Sequence, residues 1–250
     1  MRSRACLAVL AGACLWAAPA RAQRQPASSD AVLWPGAVIL VVGAAILDDE
    51  VRAFARDHQS RALTRLADGV DPLGRARYIV PSLAATYVVA RLGGERSWSD
   101  AVLRIGVGYV VADAIESALK WGVGRHRPDS LGDPWRFRPF NAQGEWHSFP
   151  SAHVVHAFAI AAGIAAEADR PWVSVTAYGG ATLIGLQRVY RDQHWPSDVA
   201  ASAVLAIVVA KATNRWMRRR GATPGMQGLH LDLHIVPDGL GGRATMVWSP

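Results

Sequence analysis

Cysteine is nearly absent from this 250-residue chain. Cys6 and Cys14 are the only two, and both lie in the first twenty residues. The remainder can form no disulfide and offers no thiol nucleophile or thiolate metal site. Uninterrupted apolar runs are also missing: a membrane helix wants about twenty apolar residues, and most apolar stretches here are shorter. Acids are in deficit, with 20 Asp and Glu against 27 Lys and Arg, a formal net charge of +7. That balance suits anionic partners such as phosphates or lipid headgroups. The arginines are scattered between apolar segments and form no basic face, so the pattern argues against nucleic acid. No internal repeat is evident.

What is present begins with a leader. Arg2 and Arg4 precede ACLAVLAGACLWAA, and Ala20-Arg21-Ala22 has the small-x-small form of a cleavage site. Residues 1–22 therefore read as a cleaved signal peptide. A first membrane anchor is the competing reading. A lipoprotein signal ending at Cys14 fits poorly, because Ala11 stands where leucine is expected.

Six apolar segments follow: Ala31–Leu47, Tyr78–Leu92, Ala101–Leu119, Val154–Ala166, Trp172–Leu186 and Val199–Ala212. Their lengths suit helices better than strands. The expected fold is all-α, a bundle of about six core helices over residues 31–216. Trp34, Trp98, Trp121, Trp172, Trp195 and Trp216 lie near segment ends, as an interfacial belt would place them. We read the bundle as membrane-embedded, against the alternative of a compact helical bundle with aromatic caps. The basic stretch KATNRWMRRR should stay cytoplasmic, which puts the loops at 120–153 and 187–198 outside. With six spans the N-terminus then falls inside, in conflict with a cleaved leader.

Asp48-Asp49-Glu50 reads as the acidic start of an amphipathic helix rather than a metal site. After Gly221 the sequence alternates apolar and polar residues around a Pro-Asp-Gly turn, so residues 221–250 read as a β-hairpin-like tail. His230 and His234 in that tail read as a solvated face rather than a metal pair.

Three polar clusters sit at the ends of apolar segments. In KWGVGRHRP, Lys120, Arg125 and Arg127 directly follow a helix, where positive charge is favoured in any case. In FPSAH, Pro150 leads into a helix and Ser151 suits its N-cap. Such a helix start points free N–H groups and a positive dipole end at an anion, and His153 would stand beside it. A partly exposed cap histidine is the plain alternative. In LQRVYRDQHWPSDVAA, Pro196 fits the first helical position. Asp198 follows His194 by four residues and can reach back to orient its imidazole. Asp198 could equally serve only as a helix cap. Arg188 adds a phosphate-compatible fork.

Taken together and in order, these pieces resemble the signature of the type 2 phosphatidic acid phosphatase family, which shares its site with vanadium haloperoxidases. Lys120 with Arg127-Pro128 matches Lys-x6-Arg-Pro, and Pro150-Ser151-Ala152-His153 matches Pro-Ser-Gly-His with one change. Arg188, His194 and Asp198 match Ser-Arg-x5-His-x3-Asp, with Gln187 for the serine. The resemblance covers roughly residues 31–216. It implies a helical bundle with its site at one end and metal-independent phosphate ester hydrolysis through a phosphohistidine, without a cofactor. It implies His194 as nucleophile, Asp198 as its orienting partner and His153 as the acid for the leaving oxygen. Lys120, Arg127 and Arg188 would hold the phosphoryl oxygens, with Ser151 and the N–H of Ala152 completing the cradle.

The expected activity is removal of phosphate from a lipid phosphate or diphosphate, at a bacterial-type inner membrane with the site facing the periplasm. A soluble periplasmic acid phosphatase acting on small phosphomonoesters is the alternative. A vanadate-dependent haloperoxidase and an inactive lipid-phosphate binder rank below these. Ala152 is tolerable if its position is helical and disruptive if it needs positive φ. Gln187 alters one phosphate contact at most. His156 has no place in the motif and reads as a helix-face histidine. The loop 129–148 is expected to cover the site, with Trp135, Phe137, Phe140 and Trp146 packing it down or meeting a lipid chain.

Overall fold

A computed structural model describes residues 30–168 and 170–220. The helices run α1 Asp30–Ile46, α2 Asp48–Asp57, α3 Arg61–Val70, α4 Ala76–Leu92, α5 Arg96–Val123, the short α6 Pro128–Leu131, α7 Ala152–Glu167, α8 Pro171–Tyr190 and α9 Pro196–Arg219. Single 3-10 turns cover Asp71–Gly74 and Gly144–Trp146. Among the described residues there is no strand, only an isolated bridge between Arg125 and Phe137. The all-α expectation holds. The leader and the hairpin-like tail lie outside the described residues.

Each of the six apolar segments forms a helix, and three helices run well past them. α5 has 28 residues, α8 has 20 and α9 has 24. Composition underestimates them because their end turns are polar, while capping chemistry decides where they stop. Pro171 and Pro196 open α8 and α9 at positions that need no N–H donor. Gly124, with φ of +59°, ends α5 in the left-handed region. A Cβ there would lie 1.9 Å from the Arg138 carbonyl oxygen, so only glycine fits.

Four charged residues in the middle and end of α5 have partners. Arg104 makes a two-pronged pair with Glu167 of α7, both bonds 2.8 Å. Asp113 meets His156 at 2.6 Å, and Glu116 pairs with Lys120 one turn on. The core between α5, α7 and α9 is built from small residues: Ala112, Ala159, Ala162, Ala206 and Ala210, with Val155. Side chains of this size let helix backbones approach closely. Larger apolar groups point outward instead, including Ile39, Val89, Leu92, Val110 and Leu183.

The tryptophan belt needs one correction. Trp34, Trp98, Trp121 and Trp172 are exposed, but Trp195 is fully buried. Its Nε1–H donates to the His126 carbonyl at 2.9 Å, and the guanidinium groups of Arg52 and Arg125 lie over its ring at 5.3 and 5.7 Å. It belongs to the scaffold of the site.

Candidate active site

The loop after α5 runs back along the segment it has just left. Arg138 N–H donates to Gly124 O, His126 N–H to Arg136 O, Arg127 N–H to Glu145 O and Ser148 N–H to Arg125 O, at 2.7 to 3.0 Å. This sews residues 124–127 to 136–148 and carries the first cluster to the second. Trp146 is buried against the His126 ring, whereas Trp135, Phe137 and Phe140 are exposed. The four loop aromatics therefore divide: one packs the loop and three face outward.

His194 lies between α8 and α9 and is buried. Its Nδ1 is 2.6 Å from the Ser148 carbonyl oxygen. A carbonyl only accepts, so Nδ1 carries the proton and Nε2 keeps the lone pair. Burial pushes the imidazole down to about 4; Asp198 opposes that shift, and Arg127 and Arg188 add to it. The ring is thus neutral at neutral pH, with one nucleophilic nitrogen of defined identity.

Asp198 faces His194 at ion-pair distance and makes no hydrogen bond to it. Its Oδ2 is 3.8 Å from Nδ1. That oxygen instead accepts from Ser148 Oγ at 2.5 Å and from Trp195 N–H at 3.0 Å, which caps α9. Oδ1 takes a 2.7 Å bond from Arg125 Nη1. The orienting action expected of Asp198 is relayed through Ser148, whose hydroxyl it holds and whose carbonyl holds the imidazole.

Behind Asp198 stands a buried network that sequence reasoning missed. Arg125 bonds Asp198 and Ser197 through Nη1, Asp48 through Nη2 at 2.8 Å, and the Pro134 carbonyl through Nε. Asp48 also accepts from Ser197 N–H and Oγ at 2.9 and 2.7 Å. Asp48 does start a helix, as expected, but it is buried and ties that helix to the site. Its acidic neighbours in sequence disguised it as a surface charge.

The two guanidinium groups converge on Gln193. Its Oε1 accepts from Arg127 Nη1 at 3.1 Å and from Arg188 Nη2 at 3.4 Å. Arg188 Nη1 is bonded to Asp71 Oδ1 at 2.7 Å, while Arg188 Nε is buried without a hydrogen-bond partner. Lys120 is ion-paired with Glu116 on its own helix. The Gln187 amide donates to Asp71 Oδ1 and accepts from Arg188 Nη1, both at 3.4 Å.

The start of α7 completes the cluster. Ser151 is the N-cap by position, yet its hydroxyl makes no capping bond and is buried without a partner. Its N–H donates to Ser202 Oγ at 2.8 Å. Ala152 is the first helical residue and has no positive φ. The alanine therefore keeps the N–H and adds only a methyl group. His153 Nε2 is a third buried polar atom lacking a partner, and it lies 3.5 Å from Asp71 Oδ1. His156 is buried, with its nitrogens on Gly74 O at 2.9 Å and on Asp113 Oδ1 at 2.6 Å. It is a scaffold histidine.

Residues 101–222 match the PAP2 superfamily. That match covers just under half of the chain. A curated relative, the Lipid A 1-phosphatase of Porphyromonas gingivalis, is 30% identical over 121 residues, 48% of this chain and 24% of that protein. The match thus spans about a quarter of that relative's length. Two crystal structures share the PAP2 fold. The transmembrane PAP2 type phosphatidylglycerolphosphate phosphatase from Bacillus subtilis gives a TM-score of 0.58 at 19% identity, over 74% of this chain and 95% of that one. LpxE from Aquifex aeolicus gives 0.50 at 20% identity, over 68% and 95%. The PAP2 match starts within α5, so α1 to α4, which supply Asp48 and Asp71, lie before it.

The arrangement has the parts for phosphoryl transfer. Ser151 Oγ, Arg188 Nε and His153 Nε2 are buried polar atoms that make no hydrogen bond. Such groups are costly unless a ligand or water satisfies them. Two guanidinium groups and a helix N-terminus supply the positive field that a phosphoryl transition state requires.

Proposed function

We propose that this chain is a metal-independent phosphatase that removes phosphate from a phosphorylated lipid through a phosphohistidine at His194. The observation that carries the reading is the buried His194, whose Nδ1–H is spent on the Ser148 carbonyl and whose Nε2 is left as nucleophile. Nε2 attacks phosphorus, Arg127 and Arg188 stabilise the equatorial oxygens, and His153 protonates the departing oxygen. Water then attacks the phosphohistidine, with His153 taking its proton.

A lipid substrate is supported by the surface around the site. Trp135, Phe137 and Phe140 are exposed on the covering loop, and apolar side chains face outward along α1, α4, α5 and α8. α9 is long and apolar enough to cross a membrane. The P. gingivalis relative is named for lipid A and the B. subtilis structure for phosphatidylglycerolphosphate. We read the chain as embedded in a bacterial inner membrane with the site facing the periplasm.

The test is phosphate release by detergent-purified protein from lipid A, phosphatidylglycerolphosphate, phosphatidic acid and undecaprenyl diphosphate, beside a soluble phosphomonoester. Activity on at least one lipid, absent in His194→Ala, is expected. Release from none, or release untouched by the substitution, sinks the proposal. Recovery of the whole protein in a detergent-free periplasmic extract would favour the soluble phosphatase instead.

A further inference from the structure

The 3-10 turn Asp71–Gly74 joins α3 to α4 and precedes the PAP2 match. It nevertheless brings a carboxylate into the site. Asp71 Oδ1 faces both Arg188 Nη1, at 2.7 Å, and His153 Nε2, at 3.5 Å, while Arg75 Nε holds Oδ2 at 2.6 Å. The turn is pressed against the histidine: a Cβ on Gly74 would come within 2.7 Å of His153 Cδ2. His156 fastens the same turn by bonding the Gly74 carbonyl.

His153 has an uneven electrostatic surround. Burial opposes an imidazolium most, Arg188 of α8, His194 of the following loop and His156 of its own helix oppose it further, and Asp71 alone favours one. A buried leaving-group acid must carry a proton to act, so a carboxylate partner has a defined use. At 3.5 Å, Asp71 is near enough to stabilise that charge, yet Nε2 makes no hydrogen bond. The N–H stays available to a leaving oxygen.

We propose that Asp71 is a positioning residue for leaving-group protonation, offsetting the cost of the proton on His153 and clamping one arm of Arg188. This rests on the phosphohistidine reading above. In the step concerned, the His194 Nε2–phosphorus bond forms while the ester phosphorus–oxygen bond breaks. The electron pair of the broken bond goes to the ester oxygen, which takes the His153 Nε2 proton and leaves as an alcohol. Neutral His153 is then the base for the attacking water.

Leaving-group chemistry supplies the test. A nitrophenolate departs without a proton, whereas an alkoxide needs one. Purified wild type, Asp71→Asn, Asp71→Ser, His153→Ala and the Asp71→Asn/His153→Ala double variant are assayed for kcat/KM on nitrophenyl phosphate and on an alkyl lipid phosphate. The loss caused by Asp71→Asn should be at least about tenfold larger for the alkyl ester, within the range of general acid catalysis. His153→Ala should show the same asymmetry, and the Asp71 substitution should add little to it. Asp71→Ser, run in parallel, keeps the result from hanging on the folding of one variant. Equal losses on both substrates, in whichever variant folds, overturn the assignment while leaving the functional reading intact. A wild-type protein inactive on both esters overturns the functional reading, and the role of Asp71 with it.

Discussion

The Ser148 carbonyl oxygen accepts the His194 Nδ1–H at 2.6 Å, while Asp198 binds the hydroxyl of the same serine at 2.5 Å. A backbone oxygen therefore selects the imidazole tautomer, and the carboxylate acts one residue removed. That relationship makes Nε2 the attacking atom and organises the predictions that follow.

Replacing His194 by alanine removes the only nitrogen proposed to bond phosphorus. Phosphate release should fall by about a thousandfold or more, as for removal of a covalent nucleophile. Mass spectrometry of rapidly quenched wild type should find a phosphate on His194, and none in the variant.

The low pKa of His194 sets an acid limb. The free base attacks and the imidazolium does not, so activity falls as pH drops through the folded value of about 4. An unperturbed histidine would fail near about 6.5. A kcat/KM profile from pH 3 to 8 should keep its activity well below pH 6. Linkage gives an independent check. Unfolded His194 takes up a proton near about 6.5 and the folded ring only near 4, so its contribution to stability falls as pH drops through that window. An acid limb near 6.5 would contradict the burial argument.

Arg125 is a structural bond between two buried carboxylates. Changing it to methionine leaves Asp48 and Asp198 without their guanidinium, and breaking a buried pair from one side costs about 3–5 kcal/mol. The variant should unfold at lower temperature in detergent, or fail to accumulate. Unchanged thermal stability would show that the network contributes little.

Arg188→Lys keeps the charge and loses the fork that spans Asp71 and Gln193. The second bond of a charged fork is worth about 1.5–3 kcal/mol, so kcat/KM should fall by roughly ten- to a hundredfold, with weaker inhibition by inorganic phosphate. Lys120→Ala should cost less, because that ammonium is paired with Glu116.

Ala152→Gly tests the one unfamiliar residue of the phosphate loop. The alanine sits in a helix without positive φ, so glycine relieves no strain. Activity should change by less than about threefold. A large gain from a feeble parent would favour the inactive binder instead.

Much of this was legible in the chain itself. Helix class followed from segment lengths, and two helix starts from Pro196 and the Pro150-Ser151 lead-in. The three clusters, spaced along 120–198, carry most of the proposed site because capping positions and motif spacings are local properties. Ala152 could be judged only once backbone angles were known, because the sequence left its position open between helix and positive φ.

Tertiary structure decided the pairings. Asp48 and Asp71 precede His194 by well over a hundred residues, in stretches that look like ordinary acidic helix ends and turns. Only the packing of α2 and the 3-10 turn against α8 and α9 makes one a partner of Arg125 and the other a partner of Arg188 and His153. Lys120 and Asp198 show the same thing: beside the roles their spacing suggests, the folded chain gives them Glu116, Arg125 and Ser148 as partners. Sequence sets which groups are present and which helix ends present them. Burial decides which charges must be neutralised and by whom, because an unpaired charge away from water is too costly to keep.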